Sequence, residues 1–309
     1  MQIRAFQPGD EHEQARIYNL ATGPLPGFKP ATAEEIARRY AAADPDPGSR
    51  YYAVEDGAVV GYAAFGPNGR VSSPWCLPGA EASREPLLRT VFAAMSERGI
   101  PEAWAAYRAD WTPVLDLLRG HGFLDKRQMI NYVAEAAKLP ADAVLPPGRV
   151  IEPLGPEGIR ALIKLAPDLY PDEDLEAIER FYRDNPFHDF SRSLFALKDA
   201  GSGEVRAIGL LVVEGRFADP TKIDAAMPCF RLGAFGTERE RHKRVNGLFS
   251  AAFVDEAEGD LLLSWLVGTT GLTHIAAQAP SDAPELCAWY DRSFRRQGAF
   301  PILSRRLED

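Results

Sequence analysis

The chain has 309 residues, a formal net charge of −9, 46% hydrophobic residues and 26% charged residues. The composition is ordinary for a globular protein, the length predicts about two domains, and the acidic balance argues against general binding to nucleic acid. No apolar stretch of about 18 residues is present, so we expect no membrane span. The first residues, MQIRAFQPGDEHEQ, lack the apolar core of a secretion signal, which predicts a cytoplasmic protein.

The first half of the chain shows a strand, helix and hairpin pattern. QIRAFQP (residues 2–8) reads as a short strand that ends at proline, and a helical pattern, EHEQARIYNLA, follows it. YYAVEDGAVVGYAAFGP (51–67) predicts a hairpin that turns at Asp56-Gly57. VLDLLRGHGFLDKRQMINYVAE (114–135) predicts an amphipathic helix, a glycine cap at Gly122 and a strand that begins with Phe123.

The second half repeats this order. VIEPLGP (150–156) corresponds to QIRAFQP, and SLFALKDAGSGEVRAIGLLVVEG (193–215) predicts another hairpin, in which Gly209 lies 148 positions after Gly61. ELCAWYDRSFRRQGAFPILSRRL (285–307) predicts a helix, then Gly298 and Phe300, then a terminal strand.

The repeat predicts two α/β (α+β) domains, 1–140 and 149–309, joined by the proline-rich segment KLPADAVLPPGR. Each domain should have a mixed, mostly antiparallel central sheet flanked by helices. Two unrelated α/β domains are the alternative.

Cysteines and short motifs exclude several chemistries. Cys76, Cys229 and Cys287 lie far apart and match no metal-ligand spacing, so we expect reduced thiols and no metal site. The sequence has no GxxxxGK[ST] phosphate loop, no HExxH, no GxSxG and no CxxC pair.

The order of elements, with the helix, Gly-Phe turn and strand of residues 114–135, resembles the GNAT superfamily of acyl-CoA N-acyltransferases. Some members carry two such domains in one chain, and the architecture is similar to tandem members such as mycothiol synthase. The resemblance implies an N-acetyltransferase that uses acetyl-CoA, or another acyl-CoA, as cosubstrate. Its acceptor would be a small-molecule amine, with no nucleic-acid or membrane partner.

In this superfamily acyl-CoA binds where a splayed strand runs into a loop of the pattern Arg/Gln-x-x-Gly-x-Gly/Ala and then a helix. Backbone N–H groups at the helix N-terminus form a nest for the pyrophosphate. In the second half the corresponding run is CFRLGAFGTERERHKRVNGLFSAAFV (229–254), with a helix predicted over VNGLFSAAFV. The expected cofactor contacts are Phe235, Gly236, Thr237, Arg241, His242, Lys243, Arg244, Val245, Asn246 and Gly247.

The corresponding loop of the first half departs further from the pattern. In GRVSSPWCLPGAEASREPLLRTVFAAM (69–95), Glu81 stands where the arginine should be, and Arg84 and Pro86 take the places of the small residues. An acidic loop repels phosphate, and Pro86 lacks an N–H donor. We therefore expect a degenerate first domain and a cofactor site in the second.

Acyl transfer to an amine needs a proton acceptor, N–H groups that polarise the thioester carbonyl, and an acid for the leaving thiolate. The superfamily's tyrosine, four residues before the glycine, is replaced by Leu118 and Phe294. Tyr290 is the substitute acid, with packing on the sheet as the alternative. His274 and Asp224 are candidate bases, His274 with a core position as its alternative; further candidates are Glu214 and Asp219.

A catalytically inactive binding or regulatory protein on the same fold is the competing hypothesis. An open V-shaped groove between adjacent strands of the second domain would favour the enzyme. A groove filled by Phe235, Arg244 or Phe249 would favour the inactive protein. An aminoacyl-tRNA-dependent transferase would need a strong basic tract or a coiled-coil arm, and the sequence shows neither.

Overall fold

A computed structural model describes residues 1–28, 30–42, 46–141, 143–155, 158–167, 175–176, 179, 194–212, 247–269 and 274–307. The chain divides into two compact units. The first comprises Met1–Arg127, Phe235–Glu238 and Phe300–Asp309, and the second comprises Gln128–Ala234 and Arg239–Ala299. Among the described residues, no helix has both the length and the apolar character that a membrane span requires.

The first unit contains a four-stranded antiparallel sheet in the order β1-β2-β3-β4. Its elements in chain order are β1 (Gln2–Ala5), α1 (Asp10–Thr22), α2 (Ala33–Ala42), β2 (Arg50–Glu55), β3 (Ala58–Ala64), β4 (Trp75–Cys76), α3 (Arg84–Glu97), β5 (Glu102–Ala106), α4 (Thr112–Gly120) and the start of β6 (Leu124–Glu135).

Alternation along β2 and β3 places helices on both faces of this sheet. Ala53 and Ala63 belong to the core cluster that contains α3, whereas Tyr52 and Tyr62 belong to the cluster that contains α1 and α2. Successive strand residues point to opposite faces, so both faces are apolar and both are covered. The predicted hairpin is confirmed: Asp56 and Gly57 both have positive φ (48° and 82°), as a two-residue hairpin turn requires.

The second unit contains a mixed sheet in the order β6-β11-β10-β9-β8-β7. Its further elements are β7 (Arg149–Pro153), α5 (Gly158–Leu165), β8 (Leu194–Asp199), β9 (Val205–Val212), β10 (Gly247–Phe253), α6 (Glu256–Gly268), β11 (His274–Pro280), α7 (Pro284–Asp291) and the start of β12 (Arg295–Arg306). Its core packs α6 and α7 against the sheet. The predicted fold class, mostly antiparallel sheets flanked by helices, is confirmed.

The last strand of the chain belongs to the first unit. Residues Ile302–Arg306 of β12 pair antiparallel with Ala106–Glu102 of β5, and Leu303 is fully buried in the first unit's core. Arg305 donates to the carbonyl oxygen of His121 at 2.6 Å. In turn, Met129–Glu135 of β6 pair with β11 in the second unit. The two compact units therefore differ from the predicted sequence domains, 1–140 and 149–309. Most of β6 belongs to the second unit, and the end of β12 belongs to the first.

The two helix endings differ from each other. The first is as predicted: Gly122 has a φ of 80° and Phe123 is buried directly after α4. The second prediction is wrong, because Gly298 and Phe300 lie inside β12. Phe294 is buried three residues after the end of α7 and takes the place of Phe123. The sequence comparison missed this because Ser293, not glycine, precedes that phenylalanine.

Replacing Leu303 tests the contribution of the terminal strand. We expect Leu303→Ala to lower the free energy of unfolding by about 2–5 kcal/mol, since it leaves a cavity in a packed core. Urea denaturation followed by circular dichroism measures this loss. Arg306→Ala, at an exposed position of the same strand, is the control and should change stability by less than about 0.5 kcal/mol. Equal effects of the two variants would contradict the burial of β12.

Candidate functional site

The second unit has an opening between two parallel strands. β10 and β11 are paired at Gly247 with Ala276 and at Leu248 with Ala277. Within the described residues no further register partners join them, although β10 runs on to Phe253 and β11 to Pro280. Because successive residues of a strand direct their backbone groups to alternate sides, every second residue beyond these pairs directs its N–H and C=O toward the other strand.

An irregularity in β10 explains the opening. Against its other neighbour, β9, the register of β10 shifts between Leu248 and Ala251. Such a shift bends a strand and increases its local twist. The shift lies directly after Leu248, the last residue of β10 that pairs with β11. The helix α6 starts three residues after the end of β10.

The N-terminus of α6 is capped by carboxylates. Asp255 accepts a hydrogen bond from the backbone N–H of Glu258 at 3.0 Å, and Glu256 and Glu258 lie in the first turn. These acids suit the positive end of the helix dipole and stabilise the helix. They also place negative charge where the superfamily's pyrophosphate would bind. The start of α6 therefore does not fit a phosphate.

Side chains link α6 to α7. Trp289 donates through Nε1 to Asp260 at 2.7 Å, and its ring lies 5.1 Å from that of Phe253. Arg292 donates to Glu256 at 2.6 Å and to Asp260 at 2.5 Å. A small apolar pocket remains beneath them; its lining residues include Ile208, Phe253, Gly259, Leu263 and Trp289.

The predicted catalytic residues do not all fall within the described part of the chain. Tyr290 is fully buried in α7 and stacks on Tyr132, with ring centroids 5.1 Å apart. Its burial favours the packing alternative. His274 is the first residue of β11, opposite Glu135 in the register. Asp224, and likewise Glu214 and Asp219, lie outside the described residues.

The predicted cofactor loop is mostly outside the described residues as well. Phe235, Gly236, Thr237, Arg241, His242, Lys243, Arg244, Val245 and Asn246 all lie there, and Gly247 is the first residue of β10. The helix predicted over residues 245–254 is wrong, because Gly247–Phe253 form a strand. A short apolar run does not by itself distinguish a helix from a buried strand, and pairing with β9 and β11 decides it here.

Sequence reasoning missed a buried polar pair beside the opening. Gln278 follows Ala277, the last residue of β11 that pairs with β10. It donates through Nε2 to Oδ1 of Asn131 on β6 at 2.7 Å. Both side chains are buried, and a buried amide is costly unless it is hydrogen-bonded. A single polar residue within each apolar run, INYVA and IAAQA, was the available signal.

The first unit shows different geometry at the corresponding elements. Gly79, with a φ of 91°, donates its N–H to Oε1 of Glu81 at 3.2 Å, just before α3. The pKa of Glu81 is lowered because its own amide and that of Gly79 donate to the carboxylate. Ser73, shortly before β4, donates its N–H to the Tyr107 hydroxyl at 2.6 Å. Both backbone amides thus donate to side chains of the same unit.

The cap at Asp255 gives a direct test of the α6 terminus. We expect Asp255→Ala to lower the free energy of unfolding by about 0.5–2 kcal/mol, because the Glu258 amide loses its acceptor. Asp255→Asn keeps an acceptor oxygen and should cost much less. Urea denaturation of the three proteins measures both effects. An equal loss in both variants would assign the stabilisation to charge and not to the hydrogen bond.

Comparison with known proteins identifies the fold. No protein-family model and no curated protein matches the sequence. Among solved structures, a GCN5-related N-acetyltransferase from Sphaerobacter thermophilus matches with a TM-score of 0.62 and 15% identity, covering 100% of this chain and 96% of that one. A probable N-acyltransferase from Enterococcus faecalis has a TM-score of 0.53 and 11% identity, covering 99% and 72%. A GCN5-related N-acetyltransferase from Kribbella flavida has the same TM-score and coverage with 12% identity. The chain therefore has the fold of the GCN5-related N-acetyltransferases.

Proposed function

We propose that the protein is an acyl-CoA-dependent N-acyltransferase whose active site lies in the second half of the chain. The observation that carries this proposal is the opening between β10 and β11, which begins after Leu248 and Ala277. The enzyme hypothesis expects a V-shaped gap between adjacent strands, and the end of the pairing between β10 and β11 supports it. The fold shared with solved acetyltransferase structures supports the same class of reaction.

Within this proposal, backbone N–H groups at the edge of the opening polarise the carbonyl of the acyl thioester. The acceptor is a small amine, and acetyl is the acyl group we expect. His274, at the start of β11, and Asp224 are the candidate bases. Tyr290, buried against Tyr132, has a packing role that makes it the weakest of the candidates.

The phosphates of the cofactor need a source of positive charge other than α6. The described start of α6 is acidic, so we assign this role to the basic run at residues 239–244, which precedes β10 in the sequence. Four of its side chains are cationic: Arg239, Arg241, Lys243 and Arg244. Guanidinium groups bind phosphate by paired, charge-assisted hydrogen bonds, which do not require a glycine-rich nest.

A second candidate function is binding without turnover. The carboxylate cap at Asp255 and the bridge from Trp289 to Asp260 favour it, because both occupy the region where this fold would bind the cofactor's phosphates. In that case the opening between β10 and β11 would bind a smaller or uncharged ligand.

Calorimetric titration of acetyl-CoA into the full-length protein separates the candidates. We expect micromolar binding that weakens at least tenfold in Arg241→Ala, a change of about 1.4 kcal/mol. Arg89→Ala is the matched control, since the Arg89 side chain is 77% exposed on α3; it should bind as the unchanged protein does. No binding at millimolar acetyl-CoA would refute the enzyme proposal.

Turnover is then measured as release of free thiol from acetyl-CoA in the presence of a panel of primary amines. Amine-dependent thiol release supports the transferase. Tight binding of acetyl-CoA without thiol release above the amine-free rate, for every amine in the panel, would favour the binding protein.

A further inference from the structure

The turn before α3 in the first unit already contains an anion. Gly79 adopts a positive φ of 91° and directs its N–H at the Glu81 carboxylate, 3.2 Å away. Consecutive amides before a helix form a concave site that attracts negative charge. Here the negative charge comes from the chain itself, and hydrogen bonds from the Glu81 and Gly79 amides lower the pKa of the Glu81 carboxyl.

Further carboxylates surround the same helix start. Glu55 accepts from the Ser83 hydroxyl at 3.0 Å, and Glu85 lies 3.1 Å from Nδ1 of His121, at the end of α4. Pro86 has no N–H to offer. A phosphate approaching this end of α3 would therefore meet three acidic side chains, with Arg84 as a cation near Glu81.

A second, independent contact occupies a backbone amide shortly before β4; we call this the strand side of the unit. Val71 and Trp104 are joined by a backbone hydrogen bond of 2.8 Å, and Ser73 follows two residues later. The N–H of Ser73 donates to the hydroxyl of Tyr107, which lies just beyond the end of β5. The Tyr107 ring stacks on Trp111 and meets Trp75 edge to face, with centroids 6.0 and 5.9 Å apart. This packing holds the hydroxyl against the strand.

We propose that the first unit closes its own cofactor groove: the Glu81 carboxylate takes the place of a phosphate, and the Tyr107 hydroxyl takes the place of an acyl carbonyl. The two contacts lie on different elements and block the two groups that acyl-CoA would need, the phosphate nest and the strand amide. The first unit is then a folded domain that binds no acyl-CoA. This inference is independent of the activity proposed for the second half.

The phosphate side is tested with inorganic pyrophosphate, followed by amide NMR of the full-length protein. In Glu81→Ala we expect saturable shifts of the amide resonances of Gly79 and of residues 81–83. The unchanged protein should show no such shifts over the same concentrations. Glu97→Ala, which removes an exposed acid at the other end of α3, is the control and should behave as the unchanged protein.

Two results would overturn the proposal on this side. One is a saturable response of the same amides in the unchanged protein, since the nest would then be open. The other is an absence of response in Glu81→Ala, since removal of the carboxylate would then expose no anion site. Because the readout is assigned to single amides of the first unit, it is unaffected by cofactor binding elsewhere in the chain.

The strand side is tested by hydrogen exchange of the Ser73 amide in Tyr107→Phe. The substitution keeps the ring and removes the hydroxyl, so exchange at Ser73 should accelerate at least tenfold while exchange at Val71, bonded to the Trp104 carbonyl, stays unchanged. An unchanged rate at Ser73 would show that Tyr107 does not occupy this amide. Equal acceleration at both amides would report general loosening of the unit and would also count against the proposal.

Discussion

The unequal pairing of β11 is the constraint on which the candidate site depends. On one side, β11 pairs with β6 over seven consecutive residues, from His274 with Glu135 to Pro280 with Met129. On the other side, its partners within the described part of β10 are Gly247 and Leu248. A strand held along its whole length by one neighbour cannot follow the other neighbour when that strand bends. The opening therefore arises from backbone geometry and does not require particular side chains to hold the strands apart.

The helix starts place a separate constraint on cofactor binding. A helix N-terminus presents amides without intrahelical partners, and either a side chain or a ligand can satisfy them. Asp255 does so at α6 and Glu81 does so just before α3. A carboxylate within the chain stabilises the fold at all times, whereas a bound phosphate does so only when the ligand is present. Stability of the helix and affinity for phosphate therefore compete for the same donors.

Local signals in the sequence predicted local structure well. The Asp56-Gly57 hairpin and the Gly122-Phe123 helix ending each depend on a few adjacent residues, and both are confirmed. The strand at Gly247–Phe253 was not predicted, because its apolar run fits a helix equally well and only its neighbours in the sheet decide. The pairing of Ile302–Arg306 with β5 was also missed, since pairing between segments about two hundred residues apart leaves no local pattern. The acidic loop at Glu81 was recognised, but its hydrogen bond to Gly79 required coordinates.

The packing of the first unit depends on residues from the far end of the described chain. Its core is incomplete without Leu303, and Arg305 fixes the end of α4 through the His121 carbonyl and lies over the Phe92 ring at 4.8 Å. These contacts come from β12, so the packing of the first unit depends on residues that lie far along the chain from β5. The Glu81 and Tyr107 contacts, in turn, are made between residues of the first unit alone.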